Sequence, residues 1–286
     1  AYISKAKVPW YSIDGKTILI TGANGFLPAY IVEFLLFLNR TRNYKIKVIA
    51  LVRNEEKARR RFERFSGNEY LQILVQDVSE QINIDAHLDY IIHAASQASP
   101  KYYWTDPVGT SVPNVIGTYN LLNLARLKKC NGFLFFSSGE VYGEIGSDKI
   151  PTKETDFGFV DPMSVRSCYS ESKRMGENLC LSFAHQYGVP AKIVRPFHTY
   201  GPGMSLDDGR VFADFVSDVV NNRDIVIKSD GSATRAFCYL ADATLGFFTV
   251  LLRGESGQVY NVGGDAEVSI KELANIMIGI FPEKNL

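Results

Sequence analysis

The sequence predicts an α/β protein built on a doubly wound parallel sheet, with a smaller C-terminal lobe. Three observations lead to this prediction. Short continuous apolar runs alternate with helical segments, a glycine-containing turn follows the first run, and the pattern becomes more irregular and richer in glycine after Arg195. Continuous apolar strands indicate a sheet with helices on both faces, because parallel strands are buried on both sides.

Six strands and four helices are predicted in the first two-thirds of the chain. The strands are expected at Thr17–Ile20, Lys47–Val52, Leu71–Val75, Tyr90–Ile92, Gly132–Phe136 and Ala191–Val194. The helices are expected from about Pro28 to Asn39, from Glu55 to about Phe65, from about Val112 to Lys128 and from Tyr169 to Tyr187. We expect a dinucleotide-binding domain over residues 1–195. Residues 196–286 should form a mainly substrate-binding lobe, with segments such as Tyr260–Val262 returning to the main sheet.

Composition narrows the class of protein. The 286 residues are 46% apolar and 22% charged, with a formal net charge of zero, so we expect neither a nucleic-acid nor a membrane partner. No apolar run reaches the ~18–20 residues of a membrane-spanning helix, and we expect a cytoplasmic protein. The four cysteines show no C-x-x-C pairing, and no His/Cys/Asp spacing is typical of a metal site. We therefore expect free thiols and no metal.

A glycine turn follows the first predicted strand. Residues 21–28 read T-G-A-N-G-F-L-P, which gives a G-x-x-G-x-x-P spacing at a strand-to-helix junction. Glycine lets the backbone approach a pyrophosphate, and the helix N-terminus adds a favourable dipole. Pro28 stands where a third glycine is usual, and a first helical turn tolerates it because its missing N–H has no partner there. The expected contacts of a nicotinamide dinucleotide at this turn are Gly22, Asn24, Gly25, Phe26 and Leu27.

The ends of the second and third strands concern the adenosine half of the cofactor. Arg53 stands where an acidic residue would accept the ribose hydroxyls of NAD. An arginine there favours the 2′-phosphate of NADP, stacks on adenine, or is simply a surface side chain, and these three interpretations remain open. Asp77 and Val78 follow the third strand and are expected near the adenine, although the Asp77 carboxylate is equally compatible with a turn.

Tyr169 and Lys173 form the centre of the predicted catalytic site. Their spacing of four places both side chains on one face of a helix. A phenol with a pKa near ~10 acts as a base at neutral pH only when a cation stabilises its phenolate, and Lys173 can be that cation. Tyr169 would then remove a hydroxyl proton while hydride leaves the same carbon for a nicotinamide. Ser138 can hydrogen-bond the same hydroxyl, and Glu140 can move a proton at the neighbouring carbon.

These segments together resemble the extended short-chain dehydrogenases that act on nucleotide sugars, from about Gly15 to the C-terminus. Besides the glycine turn, the matching segments are H-A-A-S at 93–96, S-S-G-E-V-Y-G at 137–143, the Tyr169/Lys173 pair and R-P-F-H-T-Y-G-P at 195–202. Within this family the chain resembles the UDP-glucuronate decarboxylases in particular. Their H-L-A-S-P-A-S-P-x-x-Y and V-R-S-C-Y-D-E-G-K-R segments are similar to residues 93–103 and 165–174.

The resemblance implies a Rossmann fold, a bound NAD, a nucleotide diphosphate sugar as substrate, and roles for individual residues. Ser138, Tyr169 and Lys173 would form the hydride-transfer triad, with Glu140 as a further acid/base. The remaining expected cofactor contacts are Ala94, Ala95 and Ser96. The expected substrate contacts are Gln97, Tyr102, His198, Arg210 and Arg235, of which Arg235 would bind the diphosphate. The helices that begin near Val112 and at Tyr169 would pair with those of a second copy in a homodimer.

The implied reaction begins with oxidation of the sugar at C4. In a glucuronate the new ketone is β to the C6 carboxylate, so CO2 is lost readily, and hydride then returns to C4. The same ketone serves a 4,6-dehydratase, after elimination of water, or a 4-epimerase, after reduction on the other face. Gly139 stands where dehydratases often have an aspartate, which disfavours elimination, whereas nothing in the sequence excludes epimerisation.

Two departures from the family pattern leave further alternatives. Because Arg53 contrasts with the acidic residue of the NAD-retaining decarboxylases, an NADPH-dependent reductase of a nucleotide-linked keto sugar remains possible. His198 stands where asparagine is usual and is either a ligand-facing donor or a packed histidine. A non-catalytic cofactor-binding protein would have no use for Ser138, Glu140 and the Tyr169/Lys173 pair together, so we expect an enzyme.

Overall fold

The predicted doubly wound sheet is present. The computed structural model describes residues 1–282. Its strands are β1 Thr17–Thr21, β2 Lys47–Val52, β3 Leu71–Val75, β4 Tyr90–His93, β5 Gly132–Phe136, β6 Ala191–Pro196, β7 Thr199–Tyr200, β8 Thr234–Ala236, β9 Cys238–Tyr239, β10 Val259–Val262 and β11 Glu267–Ser269. Seven of them form a parallel sheet in the order β10-β6-β5-β4-β1-β2-β3. The predicted fold class is confirmed, and the six predicted strands are found to within two residues.

Helices cover both faces of this sheet. They are α1 Tyr2–Lys5, α2 Phe26–Arg42, α3 Glu55–Arg61, α4 Lys101–Thr105, α5 Pro107–Val112, α6 Thr118–Lys128, α7 Cys168–Tyr187, α8 Val211–Val220, α9 Leu240–Arg253 and α10 Ile270–Ile280. On one face, α2 and α9 pack with Ile18 and Ile20 of β1; on the other, α6 and α7 pack with Leu19. Successive β1 side chains therefore enter two separate cores, which is why the strand is apolar throughout.

The helix predicted from about Val112 to Lys128 differs from the one observed. It begins earlier, at Pro107, and is interrupted by a π-helical turn over Pro113–Gly117 before α6 continues. Proline has no N–H to donate to the preceding turn, so the regular ladder of α5 cannot pass through Pro113. The charged helix predicted to reach Phe65 ends at Arg61 and is followed by a short 3-10 turn.

The strand order places a crevice at the carboxyl end of the sheet. The chain leaves β1 towards β2 on one side, whereas β4 lies on its other side, and the helices α2 and α6 that follow these strands pack on opposite faces of the sheet. Ligands of open parallel sheets bind at such a switch point. The glycine turn and the 93–96 segment both lie at this crevice.

The residues after Arg195 contribute a smaller apolar cluster together with one strand of the main sheet. β10 pairs with β6 at the edge of the sheet, while β8 pairs with β11 and β7 pairs with β9 in two short sheets. The small cluster is formed by α8 and α10, including Phe215, Leu273 and Met277. None of the helices described up to residue 282 is both long and apolar enough to traverse a bilayer. All four cysteines are free thiols.

Candidate active site

The glycine turn and the loop after β4 touch each other. Gly22 has a φ of +62°, in the left-handed region, and a Cβ added there would lie 2.8 Å from the Cα of Ala95. A Cβ on Gly25 would lie 3.1 Å from the Gly22 carbonyl oxygen. Gly22 therefore requires glycine, since a side chain there would separate the turn from the β4 loop, whereas a side chain at Gly25 would crowd the turn itself. Ala94 also borders the glycine turn, because its carbonyl oxygen would lie 3.2 Å from a Cβ added at Gly22.

This turn fits the pyrophosphate of a dinucleotide. α2 begins at Phe26 directly after Gly25, and no side chain among residues 1–282 caps it. The backbone N–H groups of Phe26 and Leu27 therefore point out of the first turn, where a helix end attracts an anion. Ser96 adds a second sign of a ligand, because its buried hydroxyl oxygen has no hydrogen-bond partner among the described residues. Asn24, within the same turn, is only partly buried.

Arg53 follows β2 and lies near two acidic side chains. Its guanidinium lies 3.8 Å from an Asp77 carboxylate oxygen, and it also contributes to lowering the pKa of Asp106. Asp77 is a turn residue as well, since it accepts hydrogen bonds from the N–H and hydroxyl of Ser79. Burial opposes ionisation of Asp77, but the Ser79 bonds and the Arg53 charge hold its pKa below the usual value. Val78 is buried, with a methyl group 2.7 Å from where a Gly117 Cβ would stand.

The predicted triad residues come together between β5 and α7. Tyr169 is 5% exposed and Lys173 is 2% exposed. The Ser138 hydroxyl lies close enough to the Tyr169 phenol to lower its pKa, and it accepts the Glu140 N–H at 3.2 Å. The Lys173 ammonium donates to the Phe136 carbonyl at 2.6 Å and lies 5.7 Å from the centre of the Tyr169 ring. Tyr169 and Lys173, on one face of α7, therefore meet the segment that follows β5 at a single buried site.

Burial dominates the protonation of this pair. It raises the pKa of Tyr169 to about 12, against the stabilising hydrogen bond from Ser138. It lowers the pKa of Lys173 to about 7, while the negative charge of Glu177 opposes that decrease. That Lys173 stabilises the phenolate of Tyr169 stays a prediction. A positively charged nicotinamide ring beside the pair would favour the phenolate when bound.

A buried ion pair lies behind Lys173, and sequence reasoning missed it. Glu177 follows Lys173 by one helical turn and binds Arg195 of β6 through two hydrogen bonds of 2.9 and 2.7 Å. Ser137 donates a further hydrogen bond to the same carboxylate. Arg195 also donates to the Glu154 carbonyl at 3.0 Å. The i, i+4, i+8 spacing of Tyr169, Lys173 and Glu177 was the available signal.

The mouth of the site carries a second ion pair. Arg166 lies 3.0 Å from a carboxylate oxygen of Glu140, and both side chains are about two-fifths exposed. The Arg166 guanidinium stands 5.1 Å from the Tyr103 ring centre, and Tyr103 stacks on Tyr169 at 4.8 Å. Arg166 was not predicted, although it precedes Tyr169 by three residues. Glu140 therefore lies near the Tyr169 phenol while its carboxylate is paired with Arg166.

Three predicted substrate residues share a basic surface next to the phenol. Burial, followed by the charges of Arg235 and Arg210, lowers the pKa of His198 to about 4, so this imidazole is neutral. Arg210 is bound by both oxygens of Asp208 and is close enough to lower the pKa of Tyr169. Arg235 is half-buried, and its guanidinium donates to the Thr234 carbonyl at 2.7 Å.

Gln97 lies in the loop after β4, and Tyr102 lies in α4. The Gln97 amide donates to Asp106 at 2.8 Å, and Asp106 faces Arg53. Tyr102 is 37% exposed, with the Lys101 ammonium 5.3 Å from its ring centre. The resemblance implied substrate contacts for both residues, and those contacts stay predictions.

The fold and this site define a nucleotide-binding α/β enzyme of the short-chain dehydrogenase type. The family described as the NAD dependent epimerase/dehydratase family matches residues 18–263, and the chain belongs to it. It is 34% identical over 257 residues to UDP-glucuronic acid decarboxylase 6 of Arabidopsis thaliana, a match that covers 90% of this chain and 72% of that protein.

Two solved structures share the fold. A UDP-glucose 4-epimerase from Thermotoga maritima, crystallised with UDP-glucose, aligns with a TM-score of 0.79 and 24% identity over 93% of this chain and 82% of that one. A UDP-glucuronic acid 4-epimerase from Bacillus cereus, in complex with UDP-glucuronic acid and NAD, aligns with a TM-score of 0.77 and 24% identity over 93% and 83%. The family resemblance of the sequence is therefore confirmed, as is NAD as the cofactor of the family and of its crystallised members.

Proposed function

We propose that this chain binds NAD and oxidises a nucleotide-linked sugar at C4, and that it decarboxylates UDP-glucuronate. The identity to a named UDP-glucuronic acid decarboxylase supports the substrate. The observation that carries the proposal is the meeting of Ser138, Tyr169 and Lys173 with the Glu140–Arg166 pair at one crevice. Hydride transfer at the Tyr169 phenol and recognition of the sugar carboxylate by Arg166 then occur next to each other.

The residues of the chain have separate tasks in this reaction. The nicotinamide of bound NAD accepts the C4 hydride and later returns it. As a phenolate stabilised by Lys173, Tyr169 takes the proton of the C4 hydroxyl, which Ser138 holds in place, and becomes a neutral phenol. The C4 ketone lets the C6 carboxylate leave as CO2, because the electrons of the broken bond move into the enolate. Glu140 is placed to deliver a proton at the neighbouring carbon, and Tyr169 returns its proton to the C4 oxygen.

Arg166 favours an acidic sugar at this position. A uronate at the Tyr169 phenol brings its carboxylate close to Glu140, and two carboxylates without a cation repel each other. The guanidinium of Arg166 has enough donors to bind both, and its planar fork suits a carboxylate. A neutral sugar would leave Arg166 bound to Glu140 alone. The 4-keto intermediate is therefore proposed to form next to a bound carboxylate.

A 4,6-dehydratase is disfavoured by the surroundings of Gly139. A Cβ at this position would lie 3.0 Å from the ring of Phe197, so an aspartate there would displace that ring. An NADPH-dependent reductase is disfavoured at Arg53, because Asp77 and Asp106 already face its guanidinium and would repel a 2′-phosphate. A 4-epimerase needs only rotation of the same ketone and stays as the second candidate.

Assembly, compartment and domain division are also proposals. We infer a homodimer through the outer faces of α6 and α7. These carry exposed apolar side chains, namely Tyr119, Leu127, Met175, Leu181 and Tyr187. A cytoplasmic location agrees with four free thiols. Residues 1–195 would bind the dinucleotide, and 196–286 would mainly bind substrate, with Arg235 on the diphosphate.

Product analysis with two matched substrates tests the function. The purified protein would be supplied with NAD and UDP-glucuronate, or with NAD and UDP-glucose, and products followed by mass spectrometry. Release of CO2 with a UDP-pentose from the first substrate only is expected. A UDP-uronate of unchanged mass but altered C4 configuration would replace the decarboxylase by an epimerase. Loss of water from UDP-glucose would indicate a dehydratase and overturn the proposal.

A further inference from the structure

A chain of buried hydrogen bonds connects the glycine turn to the catalytic helix. It begins at Thr21, the last residue of β1, which is fully buried. The backbone N–H groups of Ala94 and Ala95 donate to the Thr21 hydroxyl oxygen at 3.2 and 3.1 Å. Because the Gly22 backbone rests against Ala95, this hydroxyl determines where the β4 loop lies relative to the glycine turn.

His93 continues the chain as a neutral imidazole. Its Nδ1 lies 2.8 Å from Thr21 Oγ1. Both lone pairs of that oxygen already accept backbone N–H groups, so the hydroxyl donates and Nδ1 must be unprotonated. The proton is then on Nε2, which donates to the Pro113 carbonyl at 3.2 Å. Burial, with the nearby charge of Lys173, lowers the pKa of His93 to about 3.

The second half of the chain runs through the π-helical turn. Pro113 is its first residue, and π turns inside helices occur frequently at functional sites. The next residue, Asn114, is fully buried and donates from its amide to the Ser172 hydroxyl at 3.0 Å. Ser172 in turn donates to the Tyr169 carbonyl at 3.0 Å. The connection that begins at the cofactor turn thus ends on the backbone of Tyr169.

We propose that His93 is a positioning residue, which as an Nε2–H imidazole holds the dinucleotide turn and the Tyr169 helix in one fixed relation. One nitrogen serves the cofactor side, through Thr21, and the other serves the catalytic side, through Pro113. The contact with Thr21, on the cofactor side, is argued from geometry alone. The effect of the contact with Pro113 on catalysis rests on the proposed function. A protonated His93 would lose the Thr21 bond and place a second buried cation near Lys173.

Nitrogen NMR of the wild-type protein tests the tautomer directly. The chain has only four histidines, so the His93 signals are assignable by comparison with His93→Phe. A neutral Nε2–H ring that does not titrate between pH 5 and 8 is expected. An Nδ1–H tautomer, or titration in that range, would overturn the proposal. This measurement needs neither substrate nor turnover.

Two variants of His93 separate its contact with Thr21 from its contact with Pro113. His93→Asn retains an oxygen for the Thr21 hydroxyl but is too short to reach Pro113, whereas His93→Gln places an amide donor near Pro113 and loses the Thr21 contact. We expect His93→Gln to weaken NAD binding about tenfold, the scale of one buried hydrogen bond, with kcat nearly unchanged. His93→Asn should lower kcat to a similar extent and leave the Kd of NAD unchanged. Equal effects of both variants on both parameters would contradict a positioning role.

A matched pair of threonines controls for loss of a buried hydroxyl. Thr21→Val removes the central contact, while Thr244→Val removes an equally buried hydroxyl that bonds only within α9. Only Thr21→Val is expected to raise the Kd of NADH, measured by its fluorescence, and adding His93→Gln to Thr21→Val should raise the Kd no further, because the contact between the two residues is already lost. Additive effects would show that the two residues act independently and overturn the proposal. If no sugar turns over but these binding results hold, the proposed function fails while His93 keeps its cofactor role.

Discussion

The inner and outer halves of the candidate site hold their charges in different ways. Inside, Lys173 and Glu177 lie on one face of α7 and are almost fully enclosed, with Arg195 bound to Glu177 at a side-chain exposure of 2%. At the mouth, Glu140 and Arg166 form a single contact and are about two-fifths exposed. Buried charges are committed to partners that cannot be exchanged, whereas exposed pairs exchange partners at small cost.

This difference suggests a division of labour. The enclosed half is already arranged by its own buried contacts and suits the hydride and proton transfer of the proposed reaction. The exposed half can release Glu140 or Arg166 to a substrate, so it is the place where the fate of the 4-keto sugar is decided. The following variants test this division, in order of decreasing expected effect.

Tyr169→Phe should cause the largest loss of activity. Removing the phenol oxygen removes the proposed base, and such groups contribute roughly 10²–10⁴-fold to rate. We expect kcat for UDP-glucuronate to fall by about 10³-fold while NADH still binds. Tyr103→Phe is the matched control, because this ring stacks on Tyr169 but its hydroxyl bonds only to the Ala98 carbonyl. Similar losses in both variants would contradict a catalytic phenol.

Glu177→Gln should destabilise the fold more than any comparable change at the surface. It leaves the Arg195 guanidinium buried without a charged partner, and breaking a buried pair typically costs about 3–5 kcal/mol. Urea unfolding would measure the loss. Glu56→Gln is the control, since its pair with Arg60 is exposed on both sides, and no measurable change is expected there. Equal stabilities of the two variants would remove the distinction between the inner and outer halves.

Raising the pH from 7 to 9 should stabilise the wild type relative to Lys173→Met. Burial lowers the pKa of Lys173 to about 7, whereas an unfolded lysine titrates near ~10.4. Between these values the unfolded chain binds a proton that the folded chain has lost, so stability rises with pH, by about 1.4 kcal/mol per unit. Urea unfolding at three pH values measures this.

The control for the pH series is an exposed lysine. Lys101 pairs with Asp207, which raises rather than lowers the pKa of Lys101. Both the folded and the unfolded forms therefore keep this proton up to pH 9, and the stability difference for Lys101→Met should not change with pH. A constant difference for Lys173→Met as well would mean that the ammonium is not desolvated.

Arg166→Met should affect the acidic sugar selectively. Losing one arginine contact to a carboxylate is expected to raise the KM of UDP-glucuronate about tenfold, with the Kd of UDP unchanged. Arg59→Met, which removes a surface arginine bound to Glu55, serves as the control. An equal weakening of UDP binding would place Arg166 at the nucleotide and refute its assignment to the uronate.

Some of the site was readable from spacing, and some was not. The Tyr169/Lys173 pair and the glycine turn are local sequence patterns. Their residues were therefore enough to predict the pair on a helix and the turn at a strand-to-helix junction. Arg166 lies within the 165–174 segment that carried the resemblance, but no role was predicted for it. The Glu177–Arg195 pair joins α7 to β6, and only the packing of that helix on the sheet reveals it. The break at Pro113 was also missed, because the apolar pattern continues through it.

The smallest effect is expected at Arg53. Its contact with Asp77 is 3.8 Å long, and its side chain is 56% exposed, so little binding energy depends on it. We expect Arg53→Ala to change the Kd of NAD by less than about threefold, as is usual for an exposed pair. The Kd of NADP should remain larger than that of NAD in both proteins, because Asp77 and Asp106 stay in place.

Asp77→Asn sharpens this last test. Removing the negative charge of Asp77 should improve NADP binding in the presence of Arg53, because the Asp77 carboxylate no longer competes with the 2′-phosphate for the guanidinium. The double variant with Arg53→Ala should lose that gain, as measured by fluorescence titration with NADH and NADPH. If the wild type bound NADPH more tightly than NADH, Arg53 would be reading a 2′-phosphate. The mouth of the site would then serve a reductase, and the assignment of its charges to a decarboxylated sugar would have to be abandoned.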